Sequence, residues 1–203
     1  MILKYDISLN KKHLWLRGEY MNQVDPIRDI NEIKAMYKVL SCKSKRDYLF
    51  FKFAIHTGVK LSELLNLCVS DVKGEKNKIK YYWLEEHASN IHIRLPDKLR
   101  NELAQYIEEE HLEDSQLLFQ SNRTLKGLSR QQAYRIIHAA AVELGMLHIG
   151  LTTLRKTFAY HAYQSGISIS IIQKYLGHQT TYETMKFIGI STKASKTTIA
   201  LNL

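Results

Sequence analysis

Apolar positions along this chain recur mostly at helical spacing, and little interrupts them. Ile33, Met36, Tyr37 and Leu40 share one face of a helix that Asp29 opens as N-cap, with Glu32 three residues on to form a capping box, and that runs to about Leu40. The pattern predicts a second helix over 45–57, stopped by Gly58, and a third restarting with Ser62, Glu63, Leu64, Leu65 and Leu67. Between Asp71 and Pro96 the period changes. Residues 78–84 and 90–95, rich in Ile and Tyr, read as two strands of a hairpin turning over 85–89. Helices then return over 97–111, over 129–144 with Ser129 and Gln132 as a capping box, over 152–164 before Gly166, over 168–176 before Gly177, and from Thr181 to about Ile188. Ahead of all these, Leu3, Tyr5, Ile7 and Leu9 alternate with polar residues, so that 2–20 reads as an added strand pair, and Asp25-Pro26 marks a boundary. The expected architecture is mainly α with one small antiparallel sheet, an α+β chain of three parts: an arm over 1–25, a domain over 26–190 and a tail over 191–203.

Composition narrows the class. At 203 residues with 45% apolar and 24% charged residues, the chain can bury a full core, and disordered, collagenous and disulfide-rich classes are excluded. No apolar run approaches the ~18 residues of a membrane span, and the first 12 residues lack the apolar core of a signal peptide. A cytoplasmic, nucleoid-associated protein without membrane contact is expected. Cys42 and Cys68 lack CxxC spacing and have no clustered histidines nearby, which reads as two reduced thiols and suggests neither a disulfide framework nor a zinc or other metal site.

Charge changes the picture more. The 29 Lys and Arg against 20 Asp and Glu give a net +9. It is unevenly spread: residues 1–100 carry +7, residues 101–114 carry −6 and residues 115–203 carry +8. The acidic block, Glu102, Glu108, Glu109, Glu110, Glu113 and Asp114, is expected to face away from an anionic partner, and nucleic acid is the partner class that the basic remainder suggests.

Two stretches carry the chemistry. In Thr57-Gly58-Val59-Lys60-Leu61-Ser62-Glu63-Leu64-Leu65, a helix ends and the next begins within about three residues. Lys60 is thereby presented at a helix N-terminus, where the macrodipole already favours an anion. In Leu151-Thr152-Thr153-Leu154-Arg155-Lys156-Thr157-Phe158, Arg155 lies in the first turn of a helix whose other face is apolar, so its guanidinium can reach back to a phosphate bidentately. Tyr175-Leu176-Gly177-His178 then places an imidazole directly after a glycine cap. Each of these alone has an ordinary explanation, a solvated lysine or a capping histidine; together they form a set.

That set resembles the catalytic domain of the tyrosine recombinase, or phage integrase, family over residues 27–190, with 57–71 as its first arginine box and 151–188 as its second box through to the nucleophile. The resemblance implies DNA strand exchange through a covalent phosphotyrosine. Two arginines and a histidine hold the scissile phosphate, a second histidine and a hairpin lysine move protons, and no cofactor is needed. Against that pattern Lys60, Arg155 and His178 stand at phosphate-binding positions, with lysine where the first arginine belongs. Thr152 replaces the first histidine, the turn Glu85-Glu86-His87-Ala88-Ser89-Asn90 holds no lysine, and Phe187 stands where the nucleophilic tyrosine belongs.

The expectation is therefore a DNA-binding protein on a recombinase fold that has lost strand cleavage, with double-stranded DNA as partner, acting as a regulator or accessory protein of a mobile element. Lys43, Lys45, Arg46, Arg123, Lys126, Arg130, Arg135, Lys156 and Lys174 are its candidate contacts to the DNA backbone. Two alternatives accompany it: an active recombinase using Tyr182, or a tyrosine donated in trans, as nucleophile; and an interaction partner of other recombinase protomers, or a homo-oligomer, joined through the apolar tail.

Overall fold

The computed structural model describes residues 24–74, 78–84, 90–121, 124 and 126–190. The arm up to residue 23, the tail from residue 191, the hairpin turn 85–89 and Arg123 lie outside the described residues.

Helix α1 spans Ile30–Lys43, and α2 spans Lys45–Thr57. The expected capping box on α1 does not form: the Asp29 carboxylate caps by accepting from the Asn31 amide at 2.8 Å. Nothing breaks the helix at Leu40, and it continues to Ser44, which is extended at φ −162° and serves as C-cap of α1 and N-cap of α2 at once. One residue thus turns two long helices against each other. Helix α2 is the spine of the core. Leu49, Phe50, Phe51, Phe53 and Ala54 are all buried, and edge-on aromatic pairs tie Phe50 to Phe119 at 5.5 Å and Phe53 to Trp83 at 5.3 Å. It packs against α1, α5 and α7.

Short helices α3, Leu61–Leu65, and α4, Val69–Val72, follow. The latter was not predicted, since one turn is too short to show a period. Strands β1, Tyr82–Leu84, and β2, His92–Arg94, pair antiparallel with Trp83 opposite Ile93. They are shorter than the sequence pattern suggests because the chain before β1 is already committed elsewhere: Ile79 bridges to Lys73, and the Lys80 amide donates to Val72 O at 2.8 Å. Helix α5 covers Asp97–Glu109 and ends before His111, whose φ of 52° is left-handed and cannot continue a helix.

The remaining helices are α6, Arg130–Glu143, α7, Leu151–Gln164, α8, Ile169–Leu176, and α9, Thr181–Phe187. The Ser129–Gln132 capping box on α6 is present, with both reciprocal bonds made. Ala159, Ile172, Tyr175, Leu176 and Ile188 form a second apolar cluster that joins α7, α8 and α9. No helix among the described residues is long and apolar enough to cross a membrane.

A strap over residues 24–29 crosses α7. The Asp25 amide donates to His148 O at 2.9 Å, the Ile27 amide to Thr157 Oγ1 at 2.9 Å, and Lys156 Nζ to Val24 O at 2.7 Å. His161 Nε2 lies 2.9 Å from Ile27 O. At its far end Arg28 donates to Gly189 O at 3.0 Å, just beyond α9.

Candidate phosphate-binding site

The two stretches singled out from sequence are brought together at the ends of four helices. Gly58 caps α2 in the left-handed conformation at φ 65°, and a Cβ there would sit 2.2 Å from the Phe158 ring, so both the turn and the packing on α7 require glycine. The reversal delivers Lys60 as N-cap of α3, with its ammonium 3.5 Å from Glu63 one turn on. Tyr175 donates its hydroxyl to Thr57 O and so fastens α8 to the end of α2. Gly177 caps α8 at φ 73°, and His178 follows it. Gln173 Nε2 holds this turn by donating to the carbonyls of His178 and Gln179, both at 3.1 Å.

Arg155, on α7, donates through one guanidinium nitrogen to the carbonyls of Leu176 at 3.3 Å and Tyr175 at 3.5 Å, which sets its fork beside the His178 turn. His178 Nδ1 lies 3.0 Å from Thr184 Oγ1, and that hydroxyl in turn donates to Thr180 O at 3.3 Å. With the threonine proton so used, Nδ1–H is the donor and Nε2 is left for a ligand. Burial first, and then the Arg155 charge, hold the imidazole below its ordinary pKa, while Glu183 opposes them. The imidazole is thus neutral near pH 7.

Lys60, Thr152, Arg155, His178 and Phe187 line one cavity of ≈ 220 Å³, together with Arg130 from the first turn of α6. Its floor is apolar, formed by Ala54, Val59, Leu64 and Leu154 among others. The Phe187 ring stands edge-on to His178 with centroids 5.0 Å apart, and Lys156 Nζ lies 5.3 Å from its centroid. Tyr182 is on the same helix but is 67% exposed and does not line the cavity. The arrangement can bind an oxyanion through fixed cations; at position 187 it offers no oxygen.

Residues 26–193 match the phage integrase family. The chain belongs to this family. It is 37% identical over 172 residues to the probable integrase/recombinase YoeC of Bacillus subtilis strain 168, covering 84% of this chain and 92% of YoeC. Among solved structures it resembles XerA recombinase with a TM-score of 0.66 at 23% identity, covering 95% of this chain and 66% of that one. It also resembles the Tn1549 transposon integrase. An arginine-to-lysine form, in complex with a circular intermediate DNA, gives a TM-score of 0.66 at 13% identity over 87% of this chain and 65% of that one. A tyrosine-to-phenylalanine form, in complex with transposon right end DNA, gives 0.62 at 14% over 95% and 69%. At such identities the structural likeness speaks for the fold.

On this integrase-family domain the candidate backbone contacts separate into groups. Lys156 is corrected: it is 8% exposed, drawn inward by the Val24 carbonyl, with burial lowering its pKa, so it does not face a ligand. Lys43 pairs with Glu143 and Lys45 with Glu109, each at 2.5 Å, and Arg46 pairs with Asp47 at 2.7 Å and reaches Gln120 O at 3.2 Å. The acidic block is therefore not simply turned away. Glu109 neutralises Lys45, and Glu102 joins Lys52 at 2.5 Å and Tyr48 at 3.0 Å inside the α2–α5 contact. Lys126, Arg130, Arg135 and Lys174 are exposed and make no ion pair among the described residues. The sequence reading placed Arg130 on the DNA face but missed that it lines the cavity. It also missed Glu63 and Thr184 as partners of Lys60 and His178; the i,i+3 spacing of Lys60 and Glu63 was the available signal for the first.

Proposed function

We propose that this protein binds duplex DNA on the integrase fold without cutting it, and serves as a regulator or accessory protein of recombination on a mobile element. The observation that carries the reading is the identity and setting of residue 187. The family pattern calls for a tyrosine nine residues after His178, and here a phenylalanine occupies that position, packed on the histidine at the wall of the cavity. A phenyl ring cannot form a phosphotyrosine. Lysine at 60 keeps charge without the bidentate fork, and threonine at 152 supplies neither acid nor base near neutral pH. Retained binding is supported by Arg155 and His178 in place, by the exposed Lys126, Arg130, Arg135 and Lys174, which make no ion pair among the described residues, and by the Tn1549 integrase forms, which hold DNA with exchanges of the same two kinds.

A suicide DNA substrate, nicked so that a cleaved end diffuses away, tests this. The expected result is a retarded complex that disappears on denaturation, with no covalent protein–DNA adduct. An adduct that Tyr182→Phe abolishes would establish the Tyr182 alternative. That alternative faces a geometric cost: five residues along a helix is ~7.5 Å of rise and well over a full turn, so Tyr182 reaches the place of Phe187 only if α9 is rebuilt.

A further inference from the structure

The cavity contains one cation that the family pattern does not assign. Arg130 stands directly after the Ser129 cap, where the reciprocal Ser129–Gln132 bonds fix the start of α6, and it lines the same cavity as Lys60, Thr152, Arg155 and His178. We propose that Arg130 is a phosphate-binding residue of this cavity, holding the same DNA backbone phosphodiester as Arg155 and supplying the planar fork absent at Lys60. The assignment rests on the DNA-binding reading above and names the residue that makes that site effective.

Three facts carry it. Lys60 is a point charge shared with the Glu63 carboxylate 3.5 Å away, which weakens what it can offer an anion. Arg155 lines the same cavity, its guanidinium set in place by one nitrogen that donates to the carbonyls of Tyr175 and Leu176. Arg130 makes no hydrogen bond or ion pair through its side chain among the described residues, so its donors are unspent. A guanidinium at the positive end of a 14-residue helix is held there against the helix dipole, and an anion in the cavity relieves both charges together. A family member with arginine at position 60 has that fork already; here the second fork comes from α6.

The test needs neither the DNA site nor its sequence. The protein is treated with phenylglyoxal, which modifies arginine, across a titration of inorganic phosphate, and modification is read residue by residue by mass spectrometry. Arg130 and Arg155 are expected to be protected together, at one half-saturating phosphate concentration, with Arg135 unprotected as the control on the same helix. Protection of Arg155 without Arg130, of neither, or of Arg135 to the same degree overturns the assignment. With a fluorescein-labelled duplex, Arg130→Ala is expected to weaken binding about tenfold, and only about twofold in a Lys60→Arg background, because the second fork is then redundant. Equal losses in the two backgrounds overturn the shared-phosphate geometry. Arg130 is exposed, so the substitution leaves the fold intact, which a melting curve verifies. If the unaltered protein fails to bind the duplex at all, the DNA reading falls while the phosphate result still judges Arg130.

Discussion

His178 shows how one side chain links acidity to ligand binding in this cavity. Its Nδ1–H is spent on Thr184, its Nε2 carries a lone pair, and burial, opposed by the Glu183 charge and aided by that of Arg155, holds its pKa below the ordinary histidine value. A phosphate oxygen cannot accept from a lone pair, so good binding requires the imidazolium, and binding takes up a proton. On the proposed function the sign follows: DNA affinity is expected to rise as pH falls from 7.5 toward the histidine's depressed pKa. Binding titrations at several pH values, with His178→Asn beside the unaltered protein, are expected to show that slope in the latter and a flatter one in the variant. Equal slopes would assign the pH dependence to another group. Residue 187 had the clearest sequence signal of the site, because a missing hydroxyl is visible without coordinates. Lys156 had the most misleading one: in the sequence it is one more lysine beside Arg155, and only the strap carbonyl that captures it shows why it points inward.

Among the elements, α1, α2 and α5 meet around a buried polar network. Lys52 is 5% exposed, its ammonium paired with Glu102 and bonded to the Tyr48 hydroxyl at 2.8 Å, while Tyr37 O–H and His56 Nε2 lie 3.3 Å apart. Burial, with the Lys52 charge next, lowers the His56 pKa to about 4. The unfolded chain therefore binds the extra proton first as pH drops. The stabilisation is fully present above about pH 6.5 and is lost between there and about pH 4, by about 3 kcal/mol in all. Denaturant melts across that range are expected to show the loss, and His56→Gln, which keeps a partner for Tyr37, to remove most of it. Glu102→Ala should be more severe at neutral pH, ~3 to 5 kcal/mol, since it strands a buried ammonium. The helices themselves were legible in the sequence because their caps are local: Ser129 with Gln132, Gly58 and Gly177 act within a few residues of where they stand. The strands were over-extended, because a period of two cannot reveal that Lys80 is already bonded to the end of α4. The Lys52–Glu102 contact was illegible, since two residues 50 apart carry no mark of being neighbours.

For the molecule as a whole, the strap over residues 24–29 is what joins the start of the described domain to α9. Arg28 donates to Gly189 O, its guanidinium lies 5.2 Å from the Tyr160 centroid, and Lys156 bonds the strap while lying 5.3 Å from the Phe187 centroid. Arg28→Ala is expected to cost about 1 kcal/mol and to raise amide exchange in α9 ahead of the core helices. Uniform exchange across α2 and α9 would show that the strap does not govern that helix. The strap's bonds from Ile27 to Thr157 and from Arg28 to Gly189 span 130 and 161 residues, and the same numbers set an order of events during synthesis. A strap made before its partners must wait for them, an interval of roughly 10 to 30 s at ordinary translation rates. During it Ile27, buried in the finished fold, is exposed to any binding partner. Helix α9 is the last described element to be made. Until it docks, the cavity lacks the wall that Phe187 provides, so a chain still without α9 is expected to leave the cavity open on that side and to be cut more readily by protease.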